Sequence, residues 1–352
     1  MLNSDKDLYV FGAGSFGIEV ARLLSQYGIT VKGILDNVKT GTVGQWKIQH
    51  PKSADPDLPV ALGVCNLAVD LNVVASDLVS YGFNVFYTPV HLFKFFESQG
   101  LEKDHYWLTT NSSLYNKSKK DIENFSKILI DDESKSLLES LISYRIEGEI
   151  DFLPDVHPVS HQYLPRDIEV VPSPIHLVDC GAYVGEFLDY ANERNFSIGS
   201  YYAFEPDPTN YEKLITRMQV LPLNVPGVSF PLGVAEQSKQ VRFSADGTLG
   251  AAISEHGDTV IQVTSLDNAL VNIPINYIKM DIEGAEMDAL HGAIKLLKKH
   301  RPSLAISAYH KPEDLWSIGL WLDGLDLGYK FAIRQYGHQC FDTVLYAFVR
   351  SE

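Results

Sequence analysis

Two stretches of the chain share one grammar: an apolar run breaks into a glycine turn and then into a helical pattern. Residues 9–17 read YVFGAGSFG and residues 177–185 read LVDCGAYVG. A parallel strand buried on both faces reads as a continuous apolar run, and a glycine at its end permits the tight turn into a helix. Around the first turn, LYVFG, SFGIEVARLLSQYG and ITVKGILDN alternate as strand, helix and strand, and LPVALGV, LAVDLNVVASDLVSYG and FNVFYTP repeat that order. Around the second, IHLVD, a helix from about Val184, SYYAFEP and TNYEKLITRM do the same, followed by NYIKMD, one long helical pattern GAEMDALHGAIKLLKKH, and SLAISAYH. Such alternation predicts α/β architecture with helices covering mostly parallel sheets. A single core stops growing at roughly 250–300 residues. The 352 residues here therefore predict more than one domain.

We place a smaller Rossmann-like domain at residues 1–95, a helical connector at 96–170 and a second α/β domain at 171–352. In the connector, Ile122, Phe125, Ile128 and Leu129 recur at helical spacing, as do Leu137, Leu138, Leu141 and Ile142, which predicts two amphipathic helices. His157 and His161 are four apart, but Pro158 lies between them and speaks against a helical metal site. Between residues 228 and 266 the runs VSFPLGV, KQVRFSA and TVIQVTSLD read as strands with turns at GTLG and EHGD. GYKFAIRQYGHQCFDTVLYAFV predicts a closing antiparallel hairpin.

A formal net charge of −16 works against nucleic acid as a partner, because binding it draws on clustered Lys and Arg. No apolar run approaches the roughly 20 residues of a membrane span. The start MLNSDKDLYV has no basic region followed by an apolar stretch, and Cys65, Cys180 and Cys340 have no metal-ligand spacing. A cytoplasmic setting is the expectation.

The two turns differ in chemistry. LVDCGAYVG lacks the G-x-G-x-x-G spacing that brings backbone against a pyrophosphate. Asp179 at the end of its strand would repel phosphate and suit a cationic ligand through a charge-assisted bond. The next strand ends in Glu205, where α/β sites place an acid on ribose hydroxyls. A cationic end and a ribose without phosphate describe S-adenosylmethionine. GAGSFG does have dinucleotide spacing, with Gly12, Gly14 and Gly17, a helix start at Ser15, and Asp36 closing the next strand. NAD or a nucleotide-sugar would fit there. So would a scaffold whose glycines serve only the turn and helix packing.

VDCGAYVGEF, AFEPDP, SLDNAL, YIKMDIEGAEMDALHGA and ISAYHKPEDLW, in that order, resemble the FkbM-type methyltransferases over about residues 171–350. DDESKSLLESLISYRIEGE and QYLP resemble the lead-in of that family. The resemblance implies a class I Rossmann-like methyltransferase fold, a seven-stranded sheet with its last strand antiparallel, preceded here by the smaller Rossmann-like domain. It implies O-methylation of a sugar or glycoconjugate hydroxyl, with polysaccharide biosynthesis as a setting. By motif, Asp179, Gly181, Ala182, Tyr183, Gly185, Glu205, Pro206 and Asp207 would line the cofactor site.

An alcohol acceptor must lose its proton, and open α/β sheets place ligands at the carboxyl ends of their strands. Asp281 and His310 end two strands that the implied topology makes neighbours, with His310 as base and Asp281 orienting it, or Asp281 acting alone. Tyr163 and Tyr309 are candidate substrate contacts. Lys279, inside an apolar strand, needs a partner, and Asp281, Glu283 or Glu286 offer one. Asp281 is a candidate metal ligand, but no second and third ligand present themselves in the sequence, so no metal is expected. The expected partner is a small-molecule or glycan acceptor, with a homo-oligomer left open. The alternatives are an NAD(P)-linked oxidoreductase and a non-catalytic nucleotide-sugar binding protein, both run by the first glycine turn.

Overall fold

The computed structural model describes residues 7–101, 112–220, 225–244, 252–253, 257 and 259–349. The turns expected at residues 247–250 and 255–258 fall, apart from Gly257, outside the described residues. The chain divides into two compact units: Met1–Lys120, Lys135–Val156 and Gly337–Asp342 make the first, and Asp121–Ser134, His157–Tyr336 and Thr343–Glu352 the second. Residues 96–170 are shared out between them.

In the first unit, β1 (Leu8–Phe11), α1 (Ser15–Gln26), β2 (Val31–Leu35), β3 (Gly41–Val43), β4 (Trp46–Gln49), β5 (Val60–Leu62), α2 (Leu71–Ser80), β6 (Phe86–Tyr87) and α3 (Pro89–Ser98) follow one another. They give a six-stranded sheet in the order β3-β4-β2-β1-β5-β6. Only β3 and β4 pair antiparallel. The core includes Tyr9, Phe11, Leu35, Val60, Leu62, Leu71, Leu78 and Phe83, the residues that made the runs legible. Three helices follow in the chain, α4 (Ser112–Lys117), α5 (Lys119–Ile128) and α6 (Asp132–Glu147), the last two over the expected amphipathic segments, and most of α5 belongs to the second unit.

The second unit contains β7 (Ile175–Cys180), α7 (Glu186–Glu193), β8 (Ile198–Phe204), α8 (Pro208–Val220), β9 (Gly227–Phe230), β10 (Gly233–Val234), β11 (Lys239–Ser244), β12 (Ala252–Ile253), β13 (Thr259–Thr264) and α9 (Leu266–Ala269). It closes with β14 (Tyr277–Met280), α10 (Glu286–His291), α11 (Ile294–His300), β15 (Ser303–Ser307), α12 (Asp314–Asp323), β16 (Lys330–Gln335) and β17 (Thr343–Phe348). Its main sheet has seven strands in the order β16-β17-β15-β14-β7-β8-β9. β17 runs antiparallel to both neighbours, as expected of the last strand, while β15, β14, β7, β8 and β9 are mutually parallel. The shorter strands β10 to β13 form a separate four-stranded sheet.

The pattern GAEMDALHGAIKLLKKH is two helices, not one. A Cβ on Gly292 would lie 2.2 Å from the Ala235 carbonyl oxygen, so the chain there is pressed against backbone and the helical path breaks between α10 and α11.

Candidate active site

Four adjacent strands, β15, β14, β7 and β8, point their carboxyl ends the same way, and each ends at or beside a titratable residue: His310, Asp281, Asp179 and Glu205. Asp179 is 1% exposed and faces Lys279, its register partner on β14. The ammonium lies 3.2 Å from Asp179 Oδ1, while the Tyr201 hydroxyl donates to Oδ2 at 2.9 Å. Lys279 also donates to the Gly181 carbonyl and sits 5.3 Å over the Tyr163 ring, a cation–π contact. Burial alone would lower the Lys279 pKa, but the Asp179 and Asp281 carboxylates outweigh it and hold the ammonium charged. One expectation is corrected here: the ion-pair partner of Lys279 is Asp179 across the sheet, not Glu283 or Glu286 further along the chain. A cation of the chain itself therefore stands beside Asp179 at the end of its strand.

The turn after β7 is built on close approach. Gly181 has φ +74°, and a Cβ there would fall 1.9 Å from the Asp281 carbonyl oxygen, so only glycine lets this loop pass the end of β14. Ala182 accepts the Gly185 N–H at 2.8 Å, and Gly185 takes φ +86° as the N-cap of α7. Tyr183, with φ +50°, donates its N–H to Glu205 Oε2 at 2.7 Å. The Asp207 N–H donates to Glu205 Oε1 at 2.9 Å. Burial pushes the Glu205 carboxyl up to about 7 against these two donors. Pro206 lies between Glu205 and Asp207, and Asp207 caps α8, its Oδ1 accepting from the Thr209 and Asn210 N–H groups at 2.8 and 2.9 Å.

Beyond β14, Asp281 Oδ2 accepts from the Tyr163 hydroxyl at 2.9 Å, and Ser307 Oγ lies 3.1 Å from the same phenol oxygen. Tyr163 and Glu283 both adopt left-handed backbone, φ +63° and +54°, a conformation uncommon for non-glycine residues. His310 is buried, and its Nδ1 donates to Glu286 Oε1 at 2.9 Å. Its Nε2 lies 3.6 Å from Asp281 Oδ1 and 3.5 Å from Glu283 Oε2. Burial opposes a charged imidazole, but Glu286, Asp281 and Glu283 together lift His310 to about 10. Burial would raise Asp281, and the charges of Lys279 and His310 hold it below the usual carboxylate range. So the expected pair does meet, with carboxylates on both sides of the imidazole favouring its charged form. The Tyr309 ring packs at a tilt against His310, with ring centres 4.1 Å apart.

Residues 179–335 match the family model described as Methyltransferase FkbM domain. This part of the chain is similar to methyltransferase FkbM domains. The crystal structure of methyltransferase FkbM from Methylobacillus flagellatus KT superposes with a TM-score of 0.78 at 21% identity, over 97% of this chain and 90% of that one. At that identity the likeness speaks for the fold. An rRNA methylase from Streptococcus thermophilus, 15% identical over 52% of this chain and 91% of its own, and fibrillarin from Aeropyrum pernix with natively bound S-adenosyl-L-methionine, 9% identical over 53% and 70%, superpose with TM-scores of only 0.33 and 0.32. No curated protein matches significantly.

In this domain, sequence reasoning passed over Asp314. Glu286 was offered only as a candidate partner of Lys279. It is wholly buried, accepts the Ile282 N–H at 3.0 Å and holds His310. Asp281, Glu286 and His310 each offer a ligand atom within 4.8 Å of the others, so the second and third metal-ligand candidates missing from the sequence reading are supplied by the fold. Asp314, at the start of α12, is 3% exposed; burial and the Glu286 charge push it up to about 7.

In the first unit, the residues of the other glycine turn all have employment within the chain. A Cβ on Gly17 would meet the Gly12 carbonyl oxygen at 1.9 Å, which packs α1 against the turn, and Gly12 has φ +106°. Gly14 is the N-cap of α1, which begins at Ser15. Asp36 accepts from the N–H groups of Ala13, Val38 and Lys39 at 2.8–2.9 Å. Those backbone donors hold its carboxyl below the usual range despite partial burial. No helix among the described residues is long and apolar enough to cross a membrane.

Proposed function

We propose that the chain is an S-adenosylmethionine-dependent O-methyltransferase whose acceptor is a sugar or glycoconjugate hydroxyl. The observation that carries this reading is the donor set at the shared strand edge. Glu205 is fixed by two backbone N–H groups and keeps lone pairs for the two hydroxyls of a ribose. Glu186 and Asp189 occupy the first turn of α7 and offset the positive helix end that would otherwise draw a pyrophosphate. Acids with no phosphate cradle suit a cationic nucleoside better than a dinucleotide.

In this reading Glu205 holds the ribose, the turn from Gly181 to Gly185 lies along the ligand, and Asp179 with Lys279 fixes that turn from behind. When bound, the cofactor supplies a methyl group already activated by its sulfonium charge, so positioning accounts for much of the acceleration. Asp281 and His310 act on the acceptor hydroxyl, and Tyr163 orients Asp281. The sugar class draws support from the family resemblance and from Tyr309, whose half-buried ring beside His310 offers a flat face for a pyranose. A cytoplasmic setting and polysaccharide biosynthesis go with that acceptor. No observation favours a nucleotide in the first unit over its scaffold role.

The test is incubation with deuteromethyl-labelled cofactor and a panel of free, nucleotide-linked and polymeric sugars, read by mass spectrometry. One labelled methyl on a sugar oxygen is expected. In Asp281→Asn, turnover should fall roughly 10²- to 10⁴-fold while cofactor binding persists. Label appearing on carbon or nitrogen, or on no sugar at all while other hydroxyl compounds are methylated, would remove the acceptor class.

A further inference from the structure

We propose that Asp281, Glu286 and His310 form a binding site for one divalent cation of the Mn²⁺ type, placed at the acceptor side of the strand edge. The inference rests on the methyltransferase reading for its purpose but not for its geometry.

One ligand atom from each of the three residues lies within 4.8 Å of the others, the separation that a common ion requires. They come from three places in the chain: the end of β14, the first turn of α10 and the loop after β15. Each also presents an atom with no hydrogen-bond partner: Asp281 Oδ1, Glu286 Oε2 and His310 Nε2. Two of these atoms belong to residues that are 0% and 6% exposed, Glu286 and His310. Orphaned buried polar atoms are costly, and three of them on the residues of one cluster indicate a missing partner. His310 Nε2 aims at Asp281 Oδ1 from 3.6 Å, too long for a hydrogen bond and suited to two ligands of one ion.

Charge points the same way. The groups facing this volume are Asp281 and Glu283 after β14, Glu286 on α10, Asp314 at the start of α12, His310 and Lys311 after β15, and Lys279 on β14. Lys279 is already committed to Asp179 on the neighbouring strand. Carboxylates therefore outnumber cations in a largely water-excluded volume, which a divalent ion would correct. Two carboxylates and one imidazole form a hard-to-borderline donor set that suits Mn²⁺ or Mg²⁺, with no thiolate to favour softer ions. Three protein ligands leave positions open for an acceptor's hydroxyl oxygen.

The experiment is a Mn²⁺ titration of the chelator-treated full-length protein followed by electron paramagnetic resonance, with S-adenosylmethionine-induced thermal stabilisation measured on the same samples. One bound Mn²⁺ per chain is expected, displaced by excess Mg²⁺. Affinity should weaken by roughly tenfold or more in Glu286→Gln and in Asp281→Asn, while both variants keep the far-ultraviolet circular dichroism of the parent. A free-ion spectrum undiminished by the wild-type protein would overturn the proposal. So would binding of equal strength in both variants. Mn²⁺ binding without any response to S-adenosylmethionine would leave this site standing and remove the methyltransferase reading instead.

Discussion

Lys279 shows how much a single residue can announce without naming its partner. A lysine inside YIKM needs a counter-charge, and that much was legible. The acids nearest in sequence were the natural candidates, yet the partner is Asp179, which the β14–β7 register places directly alongside. Strand pairing is a tertiary fact that local spacing does not contain. The side chains of the pair are 8% and 1% exposed, so removing the cation strands a buried carboxylate. Lys279→Met should lower stability by about 3–5 kcal/mol, read as a shift in urea midpoint, and adding Asp179→Asn should recover part of the loss. A Lys279→Met protein as stable as its parent would contradict the pairing.

Glu205 makes a second prediction at this scale. Its carboxyl is pushed up from 4.5 to about 7 by burial. The raised value costs stability progressively as pH climbs from about 4.5 to about 7 and the group is forced to ionise. Ribose hydroxyls donate better to the ionised carboxylate, so cofactor affinity should rise through about pH 7 and then level off. In Glu205→Gln that rise should vanish. Calorimetric titration at several pH values checks both, and a wild-type affinity that falls over this range would sink the assignment.

At the scale of elements, the strands were the easiest part to read. Parallel strands buried on both faces leave unbroken apolar runs, and LVDC, YYAF, YIKM and SLAIS are all present as expected. The closing hairpin was legible because two such runs flank a polar link too short for a crossover helix. Helix limits were not. The pattern over residues 284–300 keeps its periodicity through Gly292, and the interruption comes from the Ala235 carbonyl, far away in sequence. The need for Gly181 is similarly hidden: what excludes a side chain is the Asp281 carbonyl on the next strand. Both cases are contacts between elements, which the period of one element cannot encode. The same reason hid the contact between Glu286 and His310, which depends on α10 presenting the acid to a histidine after β15.

At the scale of the whole molecule, two glycine turns foretold two α/β units, while the exchange of segments between them was not foreseeable. Residues 135–156 and 337–342 belong with the first unit although the sequence around each leads into the second. The two turns also diverge in use. Gly12, Gly17 and Asp36 of the first lie against its own backbone, whereas the second lies beside a line of acids along one sheet edge. The central claim is that this acidic edge, and not the dinucleotide-like turn, is where the small-molecule cofactor binds. Thermal unfolding of the full chain with S-adenosylmethionine, NADH and UDP-sugars in parallel tests it most directly. Stabilisation by S-adenosylmethionine is expected, about 2.7 kcal/mol at a hundredfold excess over its dissociation constant, and should be abolished by Glu205→Ala. Stabilisation by NADH alone, or a response to S-adenosylmethionine that survives Glu205→Ala undiminished, would contradict it.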